Sequence, residues 1–196
     1  MRRRVVYRPE GQKGVPQPYV HPEALFVEES EGEAARWVCV RTRPRWEKKF
    51  AGWLKKREWT YFLPVFRHET VSGRKRRVSE LPLFPGFVFV EGDWQKKDFS
   101  EAGAVAYVLR PRGLPEAAQL VRELRNVWCG LVSGRYVMPM RNLAVGEACR
   151  IIRGPLQGVE AKFERMGREG RLVLQVEMMG GGVAVAVCPE EVEVSS

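Results

Sequence analysis

Residues Leu81 to Glu91, LPLFPGFVFVE, constrain the fold more than any other stretch of the chain. Pro82, Pro85 and Gly86 rule out a continuous helix, because proline lacks an amide donor and glycine favours turns. The run from Gly86 to Val90 is aromatic and β-branched and reads as a strand. Alternation puts Phe87 and Phe89 on one face and Val88 and Val90 on the other. Such a strand needs a sheet around it and apolar cover on at least one face. If both faces are covered, all three phenylalanines are core, the usual fate of an apolar run. If one face is covered, an aromatic surface stays open for a partner.

The flanking sequence supplies the sheet. Trp37 to Val40 reads as a short strand. Thr42-Arg-Pro44 reads as a helix start, since proline is tolerated in the first turn, and Trp46, Phe50, Trp53 and Leu54 mark one helical face. At that spacing Trp46 and Trp53 fit a core better than platforms for unpaired bases. Trp59 to Leu63 is a second strand. Phe66–Val71 and Arg77–Leu81 form the arms of a hairpin whose tip is Ser72 to Arg77, with Gly73 supplying the turn. His68 is then a strand residue. Asp93 is positioned to cap a short helix ending near Glu101. Val105 to Arg110 is another strand. Pro115 begins a helix with Ala117, Leu120, Val121, Leu124, Val127 and Trp128 on its apolar face. Strands alternating with helices predict an α/β sandwich.

After Leu143 the texture changes. Val159, Ala161 and Phe163 alternate with charged residues, Leu172, Leu174 and Val176 repeat the period, and Val183 to Val187 is a third run. Glycines punctuate these short strands at Gly154, Gly158, Gly167, Gly170 and Gly180 to Gly182, the pattern of a small closed β-barrel. The expected organisation is α+β: a flexible extension over 1–35, the sandwich over 36–129, a linker over 130–142 and the barrel over 143–196.

Charge separates the two halves. Residues 36–80 hold fourteen Lys/Arg and four Glu, a local +10 in a chain of net +9, whereas residues 143–196 carry −2. A concentrated basic surface is the electrostatic footprint of a nucleic-acid-facing domain. Its densest part, Arg74, Lys75, Arg76 and Arg77, would be relieved of self-repulsion by phosphate, with salt-dependent binding. Arg43 and Arg45 at the predicted helix start extend it, since amides there also attract anions. The bland alternative for all six is a solvated surface. Four scattered cysteines and two histidines form no zinc pattern and read as buried free thiols. Apolar runs are too short to span a membrane, and the basic start Met1 to Arg4 has no apolar segment behind it. A cytoplasmic protein follows, with no metal or cofactor. Aspartate occurs only at Asp93 and Asp98, which disfavours a metal-dependent enzyme on nucleic acid. Gly154 to Gly158 lacks the Lys-Ser/Thr of a phosphate loop.

Three stretches, in this order, resemble the NusG family of transcription elongation factors. Trp37-Val-Cys-Val-Arg-Thr-Arg-Pro-Arg-Trp-Glu-Lys48 is similar to its opening strand and helix. Leu83-Phe-Pro-Gly-Phe-Val-Phe-Val90 is similar to its central strand. Val145 to Val159 is similar to the KOW motif, through Gly146, Arg150, Ile152, Gly154, Pro155 and Gly158. The resemblance implies an N-terminal NGN domain on the RNA polymerase clamp beside upstream or non-template DNA. It also implies a KOW barrel that recruits Rho or a small-subunit ribosomal protein, in a monomer that is not an enzyme. It implies that Phe84, Pro85 and Phe87 help form the pocket for the clamp helices, with Phe89 either a pocket wall or core. The basic hairpin and Ser79-Glu-Leu-Pro-Leu-Phe-Pro85 are similar to the specialised RfaH-like paralogues, antiterminators of selected operons. In that branch a basic residue matching Arg43 lies near non-template DNA. The chain departs from it at Gln95-Lys-Lys97 and Ala102-Gly103, where RfaH has His-Thr-Thr and Thr-Arg. RfaH stores its C-terminal domain as a helical hairpin; Gly180 to Gly182 and Val183, Val185 and Val187 oppose a helix, so a barrel is expected here. The alternative reading is a ribosome-associated KOW RNA-binding protein acting in translation.

Overall fold

The structure is a computed structural model, described for residues 19–22, 37–72, 75–135, 137–140, 146–166, 169–188 and 191–194. In chain order the elements are β1 (Tyr19–His21), β2 (Trp37–Thr42), α1 (Glu47–Lys55), β3 (Tyr61–Leu63), β4 (Val65–Ser72), β5 (Lys75–Pro82) and β6 (Phe87–Glu91). A 3-10 helix (Lys96–Ala102), β7 (Val105–Leu109) and α2 (Leu114–Val132) follow. The C-terminal part holds β8 (Val137–Met140), β9 (Glu147–Ile151), β10 (Glu160–Met166), β11 (Glu169–Val176), β12 (Gly181–Val187) and β13 (Val192–Val194). The fold is a mixed α/β arrangement.

The first sheet has the order β1-β3-β6-β2-β7 and is antiparallel throughout. Trp37, Val38, Cys39 and Val40 are buried consecutively, which a strand allows only if both faces are covered. One face carries Val38, Val40, Tyr61, Leu63, Val88 and Val90, packed with Phe50, Ala51 and Leu54 of α1 and Phe99 of the 3-10 helix. The other carries Trp37, Cys39, Phe62 and Phe89, packed with Leu120, Leu124, Val127 and Leu131 of α2. That second cluster continues through α2 into Leu172, Leu174, Val183 and Val185 of the C-terminal sheet. The Sγ of Cys39 lies 3.5 Å from Met178 Sδ, and the Phe62 and Trp128 rings sit 6.2 Å apart. At Gly130 the helix comes so close to the C-terminal sheet that a Cβ would lie 2.9 Å from Leu174 and 3.1 Å from Val185.

α1 begins at Glu47, later than the Thr42-Arg-Pro44 start predicted from sequence. Arg45 has φ +67°, a left-handed conformation incompatible with a helical first turn. Trp46 is therefore the capping residue. Trp53 packs half-buried on Phe50, 5.9 Å between rings, and Trp59 stacks on Trp94 at 4.0 Å. The short helix expected from Asp93 begins instead at Lys96, with Gln95 and Asp98 forming a reciprocal capping box. Asp93 pairs with Arg110.

The C-terminal sheet runs β13-β9-β10-β11-β12-β8 and is antiparallel. The expected closed barrel is not closed among the described residues, because the short strands β13 and β8 stand at opposite edges. A side-chain bridge spans those edges: Arg135, just before β8, donates to Glu191, just before β13, at 2.6 Å, and to Ala186 O at 3.1 Å. The region expected to be a linker, 130–142, carries the last turn of α2 and β8. Within 1–35, expected to be a flexible extension, Tyr19–His21 forms a strand. All four cysteines are free; Cys39 and Cys149 are buried, and burial pushes their thiols up. Cys188 is exposed, against the expectation of four buried thiols.

Candidate functional site

Two surfaces concentrate the predicted residues. The first is the turn that opens β6. Phe87 N–H donates to Phe84 O at 3.0 Å, with Pro85 second and Gly86 third in the turn, the latter at φ +84°. This is the sequence requirement of a type II turn. The turn is pinned from both sides. Gly86 N–H donates to the buried Glu47 carboxylate at 2.6 Å, and Gly86 O accepts from Thr42 N–H at 2.8 Å. Arg41 donates to Pro85 O at 3.0 Å and lies over the Phe87 ring at 4.6 Å. A Cβ on Gly86 would come within 2.8 Å of that guanidinium.

Burial within this turn corrects the sequence expectation. Phe84 is 5 % exposed and Phe89 0 %, and their rings meet edge-to-face at 5.7 Å. Both lie in the cluster shared with α2. The open aromatic face does not exist in this conformation, because α2 covers it. Pro85 remains exposed and Phe87 is half-buried.

The second surface is basic. β4 and β5 form a separate two-stranded sheet, in register from Val65↔Pro82 to Ser72↔Lys75. Lys75, Arg76 and Arg77 are exposed on β5 rather than at the tip. Arg74 lies outside the described residues. Val78 and Leu81 are also exposed on β5, 43 % and 40 %, an apolar component that charge pattern in the sequence does not reveal. Arg43 and Arg45 are exposed in the turn before α1, not in its first helical turn, so helix amides do not reinforce them. Trp46 is flanked by Lys49, 3.9 Å from the ring centre, and Arg43 at 5.9 Å. Arg43 also lines a shallow cavity of about 470 Å³ with Lys96, Lys97, Ser100 and Gly103. The sequence placed Lys96 and Lys97 far from Arg43; antiparallel pairing of β2 with β7 closes that distance.

Of the KOW-like residues, Ile152, Gly154, Pro155 and Gly158 lie in the β9–β10 connection, Arg150 is on β9 and Gly146 just precedes it. Gly154 and Gly158 have φ +84° and +87°, and Gly158 N–H donates to Ile151 O at 2.8 Å. Gly146 is packed so that a Cβ would lie 2.9 Å from Phe163 O. Arg150, Ile152 and Pro155 are exposed. The Glu191 carboxyl nearby is held below its ordinary range: burial opposes this, but hydrogen bonds from Arg135 and Cys188 N–H and the Arg135 charge outweigh it. Among the described residues no three His, Cys, Asp or Glu side chains converge as metal ligands, and no helix is long and apolar enough to cross a membrane.

Exposed cations thus lie on a separate two-stranded ribbon, and exposed Pro85 and half-buried Phe87 lie on a turn held by Thr42, Glu47 and Arg41. Residues 35–145 match the family described as transcription termination factor nusG, which is more than half of the chain. The chain belongs to the NusG family, whose members are non-enzymatic transcription elongation and termination factors that bind RNA polymerase. No curated protein matches the chain.

Proposed function

We propose that this protein binds the RNA polymerase clamp through the turn at Phe84, Pro85, Phe87 and Phe89. The basic hairpin and Arg43 and Arg45 hold upstream or non-template DNA. By binding the processive enzyme more tightly than the paused one, it shifts the population away from pauses. In this reading it is an RfaH-like antiterminator of selected operons, monomeric and cytoplasmic. Its C-terminal sheet, bridged between its edges by Arg135 and Glu191, serves as a KOW-type module that recruits Rho or a small-subunit ribosomal protein. The observation that carries the reading is the family match over 35–145, the segment that also contains both surfaces. Because Phe84 and Phe89 are buried, first contact falls to Pro85 and Phe87, and full engagement requires α2 to yield.

In vitro transcription through a pause site with purified bacterial RNA polymerase tests this. Added protein should shorten pause dwell times, and Arg76→Ala/Arg77→Ala should lose much of that effect. Unchanged dwell times with saturating protein would contradict it.

A further inference from the structure

β1 lies on the outer edge of the first sheet, Tyr19↔Leu63 to His21↔Tyr61. Its side chains reach beyond that pairing. Tyr19 Oη donates to Glu80 Oε2 at 2.6 Å, across 61 positions of sequence. Lys48 of α1 approaches the same carboxylate oxygen at 3.6 Å and lies over the Tyr19 ring at 5.1 Å. His21 Nε2 sits 3.1 Å from Glu58 Oε2, and its ring stacks on Tyr61 at 6.3 Å. Val20, pointing the other way, packs against the cluster that contains Phe62 and α2. So β1 is stitched to α1 and to both faces of the sheet.

Glu80 matters because of where it stands. It is on β5, cross-strand from Arg67, close to the root of the basic hairpin. The hairpin is its own two-stranded sheet, and such a ribbon is marginal alone and can swing about its base. At the base, Leu83 N–H donates to Pro64 O at 2.9 Å. Val65 and Phe66 anchor the root in the two cores, and the contact from β1 to Glu80, shared with Lys48, adds a fixed point further along β5.

We propose that β1 is a strap whose Tyr19–Glu80 contact orients the basic hairpin, and with it Lys75, Arg76 and Arg77. Its value for nucleic-acid binding rests on the DNA reading above; the strap itself does not. The hydroxyl is a strongly held donor: the Glu80 hydrogen bond first, then burial and the Glu80 charge, push the Tyr19 hydroxyl up to about 12. It stays protonated throughout the physiological range.

The test uses the full chain as wild type, Tyr19→Phe and Tyr19→Ala. Amide hydrogen exchange is followed over 65–72 and 75–82, with 37–42 and 87–91 as controls. Binding to a fluorescein-labelled random-sequence duplex is titrated at two salt concentrations. Loss of the hydroxyl should raise hairpin exchange by about fivefold, the equivalent of one hydrogen bond, and leave β2 and β6 unchanged. Duplex affinity should fall by about threefold at unchanged salt slope, since every cation remains. Unchanged hairpin exchange in both variants overturns the strap. Equal loosening of β2 and β6 in both overturns it too, by making β1 a general stabiliser. An Arg76→Ala/Arg77→Ala control with undiminished duplex binding would end the DNA reading alone, and the exchange result would still decide the strap.

Discussion

The two faces of the first sheet are both covered, but differently. The α1 face is closed within the N-terminal half by Phe50, Leu54 and Phe99. The α2 face is closed by a helix that serves two sheets at once, with Phe62 and Phe89 on one side and Leu174 and Val185 on the other. A helix with one client can be a permanent lid. A helix with two clients couples them, so whatever moves the C-terminal sheet bears on the aromatic residues beneath α2. The same strand, β6, thus sends Val88 and Val90 to a private core and Phe89 to a shared one.

Substitutions on each face should report that asymmetry. Phe50→Ala is expected to cost about 4 kcal/mol, read as a lower urea midpoint, with faster exchange confined to the first sheet. Leu124→Ala, at 0 % exposure on α2, should cost about 3 kcal/mol and speed exchange in β11 as well as β2. If Leu124→Ala left β11 untouched, the shared core would be wrong. Gly130→Ala sharpens the point. Alanine gains about 1 kcal/mol of helix propensity over glycine, but overpacking against Leu174 and Val185 costs about 1–3 kcal/mol. The account expects a net loss of about 1 kcal/mol, and a gain in stability would show that the helix stands off the sheet.

The smallest effect concerns the edges of the C-terminal sheet. The folded Glu191 carboxyl titrates below its ordinary value of 4.5. Its bridge to Arg135 therefore contributes stability above that value, and the contribution is lost as pH falls through the folded pKa. Glu191→Gln should flatten the fall in urea midpoint as pH drops below the ordinary value of 4.5. An unaltered pH profile would mean that the bridge adds nothing.

Much of this was readable from the chain. The apolar period of 117–128 is the buried face of α2, with Val121 and Trp128 half-buried at its margin. The β arms around the basic run, and the glycine-punctuated strands after Leu143, also lie where the pattern put them. The misses share a cause: each depends on partners distant in sequence. Local pattern cannot say that Phe84 is covered, because its cover includes residues more than thirty positions later. It treated Ser133-Gly134 and Pro139 as linker because small residues and proline look like punctuation, yet β8 pairs with β12. It put a helix at Arg43 to Arg45 because Pro44 permits one, and the left-handed Arg45 forbids it. Lys96 and Lys97 joined Arg43 only through the pairing of β2 and β7.

The central claim is that the turn opening β6 meets RNA polymerase. Co-elution of the full chain with purified bacterial core polymerase, for wild type and Phe87→Asp, tests it directly, because Phe87 is half-buried and its replacement leaves the Phe84–Phe89 core in place. The account predicts that wild type co-elutes and that the variant, folded by circular dichroism, does not. Equal co-elution of both would put the contact elsewhere on the molecule. Failure of wild type to co-elute would contradict the polymerase-binding account itself and favour a ribosome-associated role.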